Sequence, residues 1–320
     1  MSVGEFQLIQ EYFAKELSAF GVNLGIGDDC ALLTVPEGRQ LAVSMDTLVG
    51  GVHFPKNADP ELIAERAVRV CVSDLAAMGA EPLWFTLGLT MPSSESNWLS
   101  GFSRGLFKAA SEYNISLVGG DTTSGPLAIT LQVHGSVLPD KALQRCNARV
   151  GDVIFVTGNL GDGAAALAVI KKEFEVGKSA FAYLMSRYYT PKARIREGQL
   201  LTKIGHAAID VSDGLLADLG HICKASGVAA VIEAERLPIS DPVKKLCDPD
   251  TAMTWALTGG DDYELCFTIP PSRLRVFEDL QAKYNFDCTA IGEIVSGDGV
   301  SCLSEGRVVL PPKSAGYEHF

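Results

Sequence analysis

Apolar spacing changes type repeatedly along this chain of 320 residues, and that alternation indicates a mixed α and β fold. Residues 41–44 (LAVS), 116–118 (SLV), 127–137 and 152–157 read as strands, rich in β-branched residues and ended by Gly, Asp or Pro. Asp59, Pro60 and Glu61 form a helix start, with Asp as N-cap, Pro at the first helical position and an acidic first turn. That helix is expected to span 59–78 and stop at Gly79. Further helices are expected over 98–113, 163–172, 193–204, 214–226 and 272–284. The stretch 138–151 breaks the pattern with charge, Pro and Gly, which places a domain boundary near residue 145. Length agrees, at roughly 150 residues per domain. Segments 171–192 and 235–250 read as surface excursions with no functional signal.

Charge narrows the function classes. Lys and Arg number 27 against 39 Asp and Glu, a formal net charge of −12, which argues against a nucleic-acid binder because such proteins need basic surface. No apolar run reaches the roughly 18 residues of a membrane span. The N-terminal MSVGEFQLIQEYF carries Glu5 and Glu11 and no basic region, unlike a secretory signal. The eight cysteines lie too far apart for any CxxC pattern, and most fall in apolar stretches, so a reducing compartment is expected. The expectation is a soluble cytoplasmic protein with no nucleic-acid or membrane partner.

Aspartate clustering is the chemical signal. It recurs around Asp28 and Asp29, at Asp46, at Asp74, at Asp121, at Asp210 and Asp213, and at Asp261 and Asp262, each time beside Gly, Ser or Thr. Singly, each reads as a turn former or N-cap. Asp74 resists that reading. It follows Val70 and precedes Met78 by four, which puts it on the apolar face of its helix, where a carboxylate needs a cation or several donors. Arg66 and Arg69 are not one turn away, so a metal ion is at least as good a partner as an arginine. Several aspartates without a Cys/His set suit Mg²⁺ rather than zinc, and a dispersed acidic set resembles the metal clamp of phosphoryl transfer.

Two further features stay open. Residues 156–165 (VTGNLGDGAA) follow a strand and open a helix, so their amides could bind phosphate or could merely make a tight turn. The run is neither a Walker A loop nor GxGxxG. His53 sits in a loop soon after Asp46, a place as ordinary for a solvated residue as for a functional one. No GxSxG or triad-like context supports a nucleophilic serine.

Taken in order, GEFQLI, LGIGDDCALL, SMDTLVGGVHF, SDLAAMGAEP, LVGGDTTSGPL, VTGNLGDGAAAL, AIDVSDGLLADLGHI, LTGGDDYELCFT and the terminal GYEHF resemble the thiamine-monophosphate kinase family over nearly the whole chain. The acidic motif alone would indicate only the wider superfamily of aminoimidazole ribonucleotide synthetase and selenophosphate synthetase. The resemblance implies a two-domain α/β (α+β) aminoimidazole ribonucleotide synthetase-like fold. Its N-terminal domain (1–145), with a mixed sheet, would bind metal and ATP and pair in a homodimer, and a C-terminal α/β domain (146–320) would follow. It implies ATP-dependent phosphorylation of thiamine monophosphate to thiamine diphosphate, the last step of that cofactor's synthesis, with ATP as co-substrate and several Mg²⁺ per site. Carried onto this sequence, Asp29, Ser44, Asp46, Asp74, Asp121, Asp210, Asp213 and the Met45 main chain would hold Mg²⁺. Gly120, Asp121, Arg145 and Ser212 would contact ATP, and His53, Asp261 and Tyr317 thiamine monophosphate. Met45 stands where the family often has Thr, and Asp261 where Glu is common. No catalytic residue separate from the metal ligands is implied. The competing readings are another ATP-dependent synthetase of the superfamily, or a non-catalytic Mg²⁺- or nucleotide-binding maturation factor.

Overall fold

A computed structural model describes residues 4–14, 19–305 and 307–309. The chain divides into two units, one of residues 1–75 and 80–140, the other of residues 76–79 and 141–320.

The first unit opens with α1 (Glu5–Tyr12) and a short antiparallel pair, β1 (Val22–Leu24) and β2 (Leu32–Leu33). Four long elements with one more strand follow: β3 (Gln40–Val49), α2 (Pro60–Ala77), β4 (Glu81–Met91), α3 (Ser96–Glu112) and β5 (Ser116–Ser124), closed by β6 (Ala128–Val137). The sheet order is β3-β6-β4-β5, antiparallel except for the parallel β4–β5 pair. One face carries Phe85, Leu87, Leu89, Ile129, Leu131 and Val133, all buried, as period-two alternation requires. Helix α2 lies against it, its Cys71 Sγ 3.3 Å from the Leu131 carbonyl. On the other face of β3, Leu41, Val43 and Met45 remain 48%, 51% and 60% exposed.

Two strands extend further than their local sequence suggests. Asp46 and Thr47, read as a strand end, pair with Leu131 and Thr130 inside β3, and 119–124 continues β5 beside β4. Ladder bonds from the neighbouring strand outweigh the turn preference of these residues. Helix α2 starts as expected, Asp59 Oδ1 accepting from the Glu61 amide at 2.8 Å. It is not amphipathic, however: from Ile63 to Leu75 every residue is buried except Asp74. The ion pairs of buried Arg69 with buried Glu65 and exposed Glu112, at 3.2 and 2.6 Å, allow the polar side to be covered as well. Strand β4, unread in the sequence because it begins Glu81-Pro82, is a central strand of the sheet.

In the second unit the strands are β7 (Val153–Thr157), β8 (Ala208–Asp210), β9 (Ala229–Glu233), β10 (Leu265–Ile269), β11 (Cys288–Val295), β12 (Gly299–Ser304) and β13 (Arg307–Val309), ordered β13-β12-β9-β11-β7-β10-β8. Only β12 and β9 run parallel among the described pairs. The helices are α4 (Asp162–Ile170), α5 (Lys178–Tyr189), α6 (Ile195–Leu201), α7 (Leu215–Ser226), α8 (Asp241–Leu246), α9 (Pro249–Thr258) and α10 (Leu274–Tyr284). The continuous apolar runs of β7 and β10 follow from burial on both faces. Ile154, Val156 and Cys266 pack with Leu215, Leu219 and Ile222 of α7, while Phe155 and Phe267 pack with Phe277 of α10.

The surface-excursion reading of 171–192 and 235–250 is overturned. Leu184 and Tyr188 of α5 and Val243 of α8 are buried in one apolar cluster. Among the described residues, no helix is long and apolar enough to cross a membrane.

Candidate functional site

Three of the first unit's candidate residues converge where α2 crosses β3. The Ser44 hydroxyl donates to the Asp74 carboxylate. Asp46 is two residues further along the same strand face. Burial, then the charges of Asp46 and Asp74, push the neighbouring Cys71 thiol well above its ordinary range. Asp74 is thus the one opening between Ile63 and Leu75 of the helix, where it meets the Ser44 hydroxyl and shares the neighbourhood of Cys71 with Asp46. Met45 points to the opposite, exposed sheet face, so only its main chain is on offer to this group.

The remaining candidates of this unit stand apart from that trio. Gly120 and Asp121 lie on β5, at the other edge of the sheet from β3. Asp29 is exposed in the segment before β2, its amide donating to Asp28 Oδ1 at 2.8 Å. His53 is half-buried in the loop after β3, and its Nδ1 accepts from the Val49 amide at 2.9 Å. That bond puts the proton of a neutral imidazole on Nε2. Among the described residues no three His, Cys, Asp or Glu side chains form a ready metal cluster.

In the second unit, Asp210 ends β8 at 4% exposure and the chain then turns through 211–214 into α7. The Ser212 and Asp213 side chains are half-exposed. Their amides and that of Gly214 all donate to Asp218 Oδ2, at 3.1, 3.0 and 3.1 Å. Loop 260–263 is bonded to the same turn, the Asp261 amide to the Ser212 carbonyl at 2.9 Å and the Tyr263 amide to that of Val211 at 2.8 Å. Asp261 has a left-handed φ of 70°, and its Oδ1 accepts from the Tyr263 hydroxyl at 3.1 Å. Ser212, Asp213 and Asp261 are therefore one assembly. Arg145 is exposed in a short turn whose carbonyl accepts from Ser226 Oγ at 2.7 Å. Tyr317, with the GYEHF segment, lies outside the described residues.

A buried ionic network underlies loop 260–263. Asp262 accepts from the amides of Gly161 and Gly163 at 2.6 and 2.9 Å. Glu264 receives a two-pronged bond from Arg194 at 2.6 and 2.7 Å, another from Arg187 at 2.7 Å and the Thr157 hydroxyl at 2.5 Å. Asp162 takes the Tyr183 and Ser240 hydroxyls at 2.5 Å each and Arg187 Nε at 3.1 Å. Burial works against the Glu264 charge, yet the two arginines and Thr157 hold its pKa below the ordinary value. Asp262 is pushed up to about 8 by burial, in spite of the two glycine amides. For Asp218, burial likewise prevails over the three amides and lifts the pKa to about 7.

This network decides between the two readings of the glycine-rich run. The amides of Gly161 and Gly163 that could have met phosphate are held by Asp262, so the run is a packed strand-to-helix turn. Gly163 also lies directly beneath the candidate substrate loop, where a Cβ would come within 2.6 Å of the Gly260 carbonyl oxygen.

Sequence reading assigned no role of their own to Asp262 and Asp162 and passed over Asp218, Glu264, Arg187 and Arg194. A signal existed for Asp218, which follows Leu215 by three and precedes Ile222 by four on an apolar helix face, the same argument that singled out Asp74. Arg187 carried none, since its partners come from other elements.

Comparison with known proteins completes the picture. Residues 27–137 match the AIR synthase related protein N-terminal domain family, and residues 149–303 the corresponding C-terminal domain family. The chain is 46% identical to the thiamine-monophosphate kinase of Escherichia coli, over 100% of this chain and 99% of that protein. Among solved structures it is similar to thiamine-monophosphate kinase from Stenotrophomonas maltophilia, with a TM-score of 0.88 and 42% identity, covering 97% of this chain and 99% of the other. It is also similar to AaThiL complexed with AMPPCP and TMP, with a TM-score of 0.79, 31% identity and coverage of 99% and 97%.

Proposed function

Because the chain belongs to the AIR synthase related proteins, and within them to the thiamine-monophosphate kinase family, we propose that it phosphorylates thiamine monophosphate with ATP, giving thiamine diphosphate and ADP. Full-length identity to a kinase of that activity carries this reading, and the acidic sites of the two units support it.

The acceptor is a phosphate monoester whose second pKa is about 6, so its attacking oxygen is ionised at neutral pH without help from a base. The difficulty is bringing two polyanions together in an acidic protein. Mg²⁺ is the group this family reading implies, and the donor chemistry fits it: Ser44, Asp46 and Asp74 offer oxygens, and the neighbouring Cys71 is held as a buried neutral thiol. Asp29, Ser44, Asp46, Asp74, Asp121, Asp210, Asp213 and the Met45 main chain would hold several ions, which supply charge neutralisation at the phosphates. Gly120, Asp121, Arg145 and Ser212 would bind ATP. His53, with its ring proton on Nε2, is set to donate a hydrogen bond to thiamine monophosphate, alongside Asp261 and Tyr317. Transfer is then direct and in line, without a phosphoenzyme.

A homodimer is part of the proposal. The exposed apolar row Leu41, Val43 and Met45 gives the first unit's sheet a face for a second copy of the chain. Sedimentation as a monomer at micromolar concentration would remove that part.

Product analysis tests the whole. ADP and thiamine diphosphate should form in equal amounts, and only with ATP and thiamine monophosphate both present. Asp74→Asn should abolish turnover while leaving the circular dichroism spectrum unchanged. ATP binding without turnover in the wild type would overturn the kinase reading, and full activity in the variant would sink the role of Asp74.

A further inference from the structure

We propose that Asp218 is a positioning residue for the nucleotide- and metal-binding turn, holding Ser212 and Asp213 in place by gathering the amides of 212–214 onto one carboxylate oxygen. The inference rests on the proposed role of that turn in binding ATP and Mg²⁺.

Three consecutive N–H groups converging on a point make a concave donor set suited to an anion. Here the anion is internal. Asp218 is 2% exposed, lies in the first turn of α7 and reaches back past the start of its own helix to accept all three bonds at 3.0 to 3.1 Å. Turning the amides inward leaves the Ser212 and Asp213 side chains half-exposed, while Val211 and Gly214 on either side are buried. Gly214 permits the turn: its φ is 119°, and a Cβ there would come within 2.7 Å of the Thr258 carbonyl oxygen. The Ser212 carbonyl is tied separately to the Asp261 amide, so that bond alone would leave the amide side of the turn free to rotate. Asp218 therefore touches no substrate. Its three hydrogen bonds set the direction in which Asp213 and Ser212 project.

The test compares Asp218→Asn with wild type in the full-length protein, using AMPPCP with Mg²⁺ as probe, well below both melting temperatures. Asn keeps the shape but offers a neutral acceptor and an amide donor, so the three N–H groups are held poorly. AMPPCP affinity should fall about tenfold or more, because the Asn amide donor opposes the three N–H groups and the turn loses its fixed orientation. A purely structural role would lower the melting temperature and leave the AMPPCP affinity untouched, and that result overturns the proposal. Amide hydrogen exchange on wild type is the second measurement and needs no variant. The amides of 212–214 should exchange slowly, and exchange at the rate of an open loop would also overturn it. Failure of the kinase reading is separable, because it shows in the wild type alone, as nucleotide bound without turnover of thiamine monophosphate or as no AMPPCP binding with Mg²⁺.

Discussion

Replacing Gly163 with alanine separates packing beneath the substrate loop from phosphate binding by the glycine-rich run. The added Cβ would stand 2.6 Å from the Gly260 oxygen and 2.7 Å from the Asp261 carbonyl carbon and oxygen. These are backbone atoms, so loop 260–263 must retreat by about 0.8 Å to reach ordinary contact. Overpacking of this kind costs about 1–3 kcal/mol, against a helix-propensity gain of up to about 1 kcal/mol. Gly220→Ala in α7 is the matched control, because nothing lies within 4 Å of its Cβ. That control should raise the melting temperature by about 2–4 °C, whereas Gly163→Ala should leave it unchanged or lower it by several degrees. A displacement approaching 1 Å at Asp261 should cost about tenfold to a hundredfold in kcat/KM for thiamine monophosphate, with a smaller change in the KM for ATP. Coupled-assay kinetics and thermal melts read both effects. Kinetic constants and a melting temperature matching Gly220→Ala would refute the packing argument. A raised ATP KM alone would return the run to phosphate binding.

Two other perturbations probe the buried network. Arg187→Leu strips Asp162 and Glu264, both no more than 1% exposed, of a shared cation and should cost about 3–5 kcal/mol. The melting temperature should fall by about 6–20 °C, and a change under about 2 °C would contradict the network's role. Asp262 titrates high in the fold, at about 8, and near the ordinary carboxylate value when unfolded. A raised folded pKa means that its contribution to stability is complete below about pH 4 and is lost as pH rises through 8. Asp262→Asn does not titrate, so its urea midpoint should gain on that of wild type between pH 4 and 8. Parallel pH profiles would count against the shift.

The sequence carried the parts of this protein that local physics governs. Asp59, Pro60 and Glu61 start α2 through contacts within one turn, and the apolar runs of β7 and β10 mark strands covered on both faces. Motif order gave the family without coordinates, and Asp74 stood out because a carboxylate on an apolar helix face demands a partner. Strand ends were misread at Asp46 and at 119–124, where ladder bonds to β6 and β4 overrule the turn preference of Asp, Gly and Thr.

What only the tertiary structure decided is which carboxylates are turned outward to offer oxygens and which are consumed inside. In the sequence Asp261 and Asp262 look alike, and Asp218 differs from Asp213 only by its place on an apolar helix face. In the fold, Asp218 takes three amides of its own turn, and Asp262 takes two from a loop about a hundred residues away, while Asp213 and Asp261 stay partly exposed. A carboxylate's role is set by the donors that surround it, and those donors are brought together by packing across the whole second unit. Spacing along the chain does not record them.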